Sequence, residues 1–260
     1  TKDLVGVCSC GFKSHLPQER FHESGDIVGY RRFCQFYIQL EDLSMKPQIS
    51  IRNERIDDYE TVERITREAF YNLYIPGCIE HYLVHIMREH KDFIPELDLV
   101  LELDGRVIGN IMYTKAKLTD GDGDTKEILT FGPVCVLPAY QRMGYGKMLM
   151  EHSFKKAIEL GYDTIVIFGS PSNYVRRGFK SCRRFNIAVD GGRYPAAMMV
   201  KELIPGALAG KNWIYQDSPV MAVSEEAARR YDDTLEKMER KYQPSQEEFY
   251  ILSHSFVGEE

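Results

Sequence analysis

The sequence has no apolar run approaching the roughly 20 residues that a bilayer-crossing helix needs. The Leu4-Val5-Gly6-Val7 stretch near its start is too short for the core of a secretory signal. The expectation is a cytoplasmic protein with no membrane partner. A basic excess is lacking as well: 33 Lys and Arg against 39 Asp and Glu leave a formal net charge of −6. Nucleic acid demands a basic face, so it is excluded as the main partner, and a cationic, amine-bearing partner is mildly favoured. Cysteine is sparse, with six in 260 residues at spacings that form no disulfide framework. This reads as free thiols in a reducing compartment. There is neither an internal repeat nor a low-complexity linker. What is there, 43% hydrophobic and 28% charged residues, is an ordinary globular composition on a chain long enough to bury a core.

Three stretches differ in character. Residues 1–46 gather Cys8, Cys10, His15, His22 and Cys34, residue types that ligate zinc. Only one residue separates Cys8 from Cys10, and no second close pair follows, so the expectation is an accessory lobe with buried thiols and no metal. Pro47 marks a boundary, and the pattern changes again beyond about residue 203. The expected organisation is an N-terminal segment (1–46), a central domain (47–203) and a C-terminal extension (204–260).

In the central domain, Ile49 and Ile51 alternate with polar neighbours as in a short strand. Val62, Ile65, Ala69 and Phe70 share one face of a helix capped by Asp57 or Asp58. After the Pro76-Gly77 break, Ile79, Leu83, Ile86 and Met87 form a second stripe. His81 and His85 on its flank lack the glutamate and third ligand of a metal-binding helix, and read as packing or solvated residues. Asp104-Gly105 joins residues 99–103 and 106–113 as a tight hairpin. The acidic run at 120–124 fails as a calcium loop, because Thr125 and Phe131 stand where glycine and glutamate are needed. A strand over 127–136, a helix lined by Met150, Phe154, Ala157 and Ile158 and ended by Gly161, and the apolar run 164–168 give strand, helix, parallel strand. Residues 185–189 and 196–200 read as a hairpin around Asp190-Gly191-Gly192. Trp213, Ile214 and Tyr215 read as apolar anchors, and Ser224 as the cap of a helix running to about Lys241. The fold class is α/β, with a mixed α+β sheet.

The chemistry concentrates in Phe131-Gly132-Pro133-Val134-Cys135-Val136-Leu137-Pro138-Ala139-Tyr140-Gln141-Arg142-Met143-Gly144-Tyr145-Gly146-Lys147. A buried strand passes through a proline into a glycine-punctuated loop and then a helix beginning near Gly146. Such a junction aims unpartnered amides at one point before the positive helix end, which suits an anion. Gly144 and Gly146 remove side chains from the approach, and Arg142 and Lys147 add charge, so a diphosphate fits. A Walker A loop needs Gly-Lys-Ser/Thr, but Met148 follows Lys147. A dinucleotide fingerprint needs a third glycine near His152 and Ser153.

On these residues, Val136 to Gly146 resembles the acetyl-CoA motif of the GNAT superfamily of N-acetyltransferases, Gln/Arg-x-x-Gly-x-Gly/Ala after a strand ending in Val-x-Pro. Tyr174-Val175-Arg176-Arg177-Gly178-Phe179 resembles the superfamily's Tyr-x-x-x-Gly-Phe motif, with Asn173 where phenylalanine is usual. Gly-Ser-Pro-Ser stands where a cofactor-contacting asparagine is usual. The resemblance covers about residues 48–200. It implies a GNAT-like acyl-CoA N-acyltransferase fold with extensions at both ends, and acetyl-CoA as cosubstrate. The implied activity is direct transfer of the acetyl group to a primary amine of a small molecule or protein. It further implies that main-chain groups of Val134, Cys135 and Val136 pair with the pantetheine arm, while Gln141, Arg142, Met143, Gly144, Tyr145, Gly146 and Lys147 hold the diphosphate. Tyr174 is the candidate acid, because a phenol of pKa about 10 stays protonated and can give its proton to a departing thiolate. The base is left open between Glu127, His81 and a water chain. Cys135 reads as a small core residue rather than a covalent nucleophile. The alternative function is a non-catalytic acyl-CoA-binding regulatory or interaction module. A homodimer through the C-terminal strand or helix is possible.

Overall fold

The computed structural model describes residues 47–258, and the zinc candidates from Cys8 to Cys34 lie outside them. In chain order the elements are β1 (Ile49–Asn53), α1 (Tyr59–Phe70), α2 (Glu80–Met87), β2 (Leu99–Leu103), β3 (Arg106–Asp120), β4 (Thr125–Val136), α3 (Tyr145–Glu159), β5 (Thr164–Phe168), the short α4 (Pro171–Tyr174), β6 (Lys180–Ser181), β7 (Ile187–Ala188), β8 (Met198–Glu202), β9 (Trp213–Gln216), α5 (Glu225–Asp232) and α6 (Pro244–Ser253). The strands make one mixed sheet in the order β1-β2-β3-β4-β5-β8-β6, with β9 against β3 and β7 against β9. Its central step is β4-α3-β5, where the two strands run parallel.

The β2–β3 turn takes the form its dipeptide dictates: Asp104 and Gly105 both have positive φ, 52° and 77°, matching the twist of the flanking strands. β3 and β4 pair antiparallel from Thr119↔Thr125 to Gly109↔Val136, with a register shift between Ile111 and Tyr113. Strand alternation divides the apolar residues between the two faces. Tyr113, Leu129, Phe131, Ile165 and Ile167 join the cluster that takes in Leu149, Phe154 and Ala157 of α3. Ala116, Leu118, Ile128 and Val166 join Val200, Trp213 and Tyr215 in a second cluster on the other face. Among the described residues no helix is long and apolar enough to cross a membrane, and no cluster of His, Cys, Asp and Glu is placed to hold a metal ion.

Two sequence expectations are corrected. Residues 185–189 and 196–200 do not pair as a hairpin. The glycine turn closes only locally at Val189↔Arg193. β8 then finds a longer partner in β5, from Thr164↔Glu202 to Phe168↔Met198, and β7 runs parallel to β9. The helix from Ser224 stops at Asp232 rather than near Lys241. Ser224 does cap it, accepting from the Ala227 amide at 3.3 Å. Beyond Asp232 the chain doubles back: Arg240 reaches Asp232 at 2.6 Å, while Tyr71 and Asn72 donate to the carbonyls of Met238 and Glu239. The part of the chain after residue 203 is woven into the sheet through β9, paired from Lys117↔Gln216 to Asp120↔Trp213.

Candidate functional site

The site begins as a gap in the sheet. β4 bonds to β3 along nearly its whole length, but it meets β5 at a single pair, Leu129↔Ile165. β5 gives its other edge to β8 over five consecutive pairs. Past Leu129 the strands part, so Val134, Cys135 and Val136 have β3 on one side and, among the described residues, no strand on the other. Gly109 keeps β3 close to β4 here, since a Cβ on it would lie 3.0 Å from the Cys135 carbonyl oxygen.

The end of β4 leads directly into the turn. Gly144, the residue before α3, has φ +94°, a conformation that strains any residue with a Cβ. No side chain caps the helix, and the amides of Gly144, Tyr145, Gly146 and Lys147 donate to no protein acceptor among the described residues. These open donors converge at the positive end of a 15-residue helix. Arg142, Met143 and Gly144 are exposed, and so is Lys147, whose ammonium lies 3.7 Å from the Glu151 carboxylate. Arg142 itself has φ 64°. Gln141 braces the turn, its side-chain amide donating to the Val136 carbonyl at 2.9 Å.

Tyr174 is the last residue of α4. Its ring packs against Phe131 and Phe179, with centroids 5.9 and 5.7 Å away. Phe131 belongs to the part of β4 beyond the lone pair with β5. The ring is half-buried, and burial pushes its phenol well above the usual tyrosine range, so it stays protonated at neutral pH. Gly169 gives the ring its space. A Cβ there would lie 2.5 Å from Tyr174 Cε2, a constraint the sequence signals only as a glycine after a strand.

The other candidates lie elsewhere. Cys135 points into the core, 3% exposed, with Sγ 3.4 Å from Thr66 Oγ1, and burial pushes its thiol up to about 11. His81 is fully buried between α2 and α5, and burial lowers its pKa to about 4, so it is neutral and out of reach of a substrate. His85 is exposed, and its ring stacks on Tyr231. Glu127 sits on the closed side of the Leu129 pair, held by Lys115 at 3.2 Å and by the Tyr162 hydroxyl. One contributor was not visible in sequence: Met221, whose methyl group would lie 3.5 Å from a Cβ on Gly132 at the gap.

A mixed sheet split between parallel neighbours, with a glycine turn and open helix start at the split, defines the GNAT class of acyltransferase fold. Residues 67–179 match the model of the acetyltransferase (GNAT) family. The uncharacterized N-acetyltransferase YjhQ of Escherichia coli K12 is 31% identical over 120 residues, 46% of this chain and 62% of that relative's length. The uncharacterized N-acetyltransferase YhbS of the same strain is 29% identical over 161 residues, covering 62% of this chain and 90% of YhbS. The crystal structure of E. coli YhbS in complex with CoA superposes with a TM-score of 0.59 at 23% identity, covering 68% of this chain and 94% of that one. A GNAT acetyltransferase from Brucella melitensis in complex with acetyl-CoA gives 0.53 at 25% identity, covering 67% and 98%.

Proposed function

We propose that the protein is an N-acetyltransferase that moves the acetyl group of acetyl-CoA to a primary amine of a small molecule or protein by direct attack. The observation that carries this reading is the continuity of the bare β4 edge at Val134 to Val136 with the open amides of Gly144 to Lys147. An amide-bearing pantetheine arm suits the first, and a diphosphate the second. Arg142 and Lys147 add charge-assisted contacts from the exposed rim.

Bound acetyl-CoA supplies the thioester. The residues of the chain then have three tasks. Main-chain groups of Val134 to Val136 would hold the pantetheine arm and so fix the thioester, making the attack effectively intramolecular. The incoming ammonium, of reference pKa about 10.4, must first lose a proton. As the nitrogen lone pair forms the C–N bond and the C–S bond breaks, Tyr174 gives its phenolic proton to the thiolate, and the proton shed by the acylated nitrogen returns through solvent to the phenolate. Cys135 is buried and held as the thiol, which favours direct attack over an acyl-cysteine.

Free thiol followed in the presence of acetyl-CoA and a panel of primary amines tests the reading. Amine-dependent release is expected. Cofactor binding without release for any amine would leave a non-catalytic acyl-CoA-binding module in its place.

A further inference from the structure

Between the Leu129 rung and the open edge at Val134 to Val136, β4 lacks first an amide and then a side chain. Pro133 has no N–H, so a ligand arm paired with that edge as a strand would find its last amide donor at Val134. Gly132 comes next toward the rung, and its φ is not positive, so the backbone there does not call for glycine. What the glycine leaves is space. A Cβ on it would have Met221 Cε at 3.5 Å and, its chain neighbours aside, no other described atom within 4 Å. Met221 therefore stands over the strand where a side chain of β4 would otherwise lie.

Met221 belongs to the link between β9 and α5, outside the residues that match the family model. That link is pinned along its length. Ser218 Oγ donates to Asp92 at 2.8 Å, and the Ser218 carbonyl accepts the Met221 amide at 3.0 Å. Val220 is buried, and Ser224 caps α5, which Asp232 ties to Arg67. Met221 and Tyr174 both pack against the core cluster that contains Phe131, yet Met221 keeps part of its surface open. An apolar side chain on a fixed backbone, beside a strand position with no side chain of its own, is suited to bound a small apolar group.

We propose that Met221 sets which acyl group the site accepts, admitting acetyl and excluding longer chains. The order of the glycine turn, Val136 and Val134 gives the arm its direction down β4, and its acyl end then reaches the level of Gly132, where Met221 stops it. This rests on the proposed acetyl-CoA reading and adds to it a specificity-determining residue that the matched part of the chain does not contain.

The experiment is calorimetry on the full chain with CoA, acetyl-CoA and butyryl-CoA, with no amine present. The parent is expected to bind acetyl-CoA at least about tenfold more tightly than butyryl-CoA, the scale on which a filled apolar pocket rejects added methylenes. Met221→Ala should bring the two within about twofold, because the shortened side chain makes room for the longer acyl group. Met221→Leu, which conserves volume, should keep the preference of the parent. Affinity for CoA itself, which has no acyl group, should stay within twofold in each variant, and this also reports folding. If Met221→Ala does not bind CoA, Met221→Val decides the matter by the same ratio. A parent without preference, or a preference unchanged in the shortened variant, overturns the inference. Failure of the parent to bind CoA overturns the acetyl-CoA reading instead, so the two failures are distinguishable.

Discussion

At the scale of single residues, two glycines do different work. Gly144 supplies a backbone conformation at the turn, and Gly169 supplies empty space for a ring. The proposed role of Tyr174 depends on the second. Tyr174→Phe is expected to lower kcat about 100-fold, the lower end of general acid catalysis, without changing CoA affinity in calorimetry. Gly169→Ala should move the same ring without altering its chemistry, lowering kcat at least tenfold with the turn intact. Unchanged kcat in both variants would remove Tyr174 from the reaction. The turn at Gly144 was legible from local backbone rules, whereas Tyr174 was singled out through the resemblance, and the space that Gly169 leaves for its ring could not be read from sequence. The burial of His81 was likewise not legible, because Tyr231, which covers it, arrives from 150 positions along the chain.

At the scale of elements, the docking of α5 onto α1 and α2 is an electrostatic junction. Asp232, 4% exposed, accepts from Arg67 at 2.7 Å and from Arg240 at 2.6 Å, and His81 Nε2 lies 3.5 Å away. Removing one member of such a buried set costs about 3–5 kcal/mol, because the remaining charge is stranded. His81 gives the junction a pH signature. Its folded pKa, about 4, lies below its ordinary 6.5, so the unfolded chain holds the extra proton between those values. Stability present above pH 6.5 is therefore lost as pH falls toward 4, by up to about 3 kcal/mol. Urea melts from pH 7 to pH 4 should show this decline, and His81→Leu should flatten it. An equally steep decline in His81→Leu would assign it to other groups. Sequence missed the end of α5 for the same physical reason: Arg240 and Asp232 meet only through the tertiary fold. The misread hairpin at 185–200 likewise turned on which partner β8 would find, a long-range competition that local turn residues do not decide.

At the scale of the whole molecule, the order strand, helix, parallel strand could be read from periodicity, but the gap could not. It is set by register, since one β4–β5 pair rather than several leaves Val134 to Val136 open. A ligand that fills the opening binds only the folded state. At one hundred times its dissociation constant, CoA should add about 2.7 kcal/mol. This raises Tm by about 5–10 °C for a domain of this size, as scanning calorimetry would register. A melting point independent of CoA concentration would mean that the opening is not its site.

The solitary rung at Leu129 has another consequence. A strand edge without a mate is also a template for foreign strands, and chains with bare edges associate when they loosen. The empty protein would thus be at its most aggregation-prone along the very edge that its nucleotide ligand is proposed to cover. Ligand scarcity would then affect the solubility of the molecule as well as its turnover.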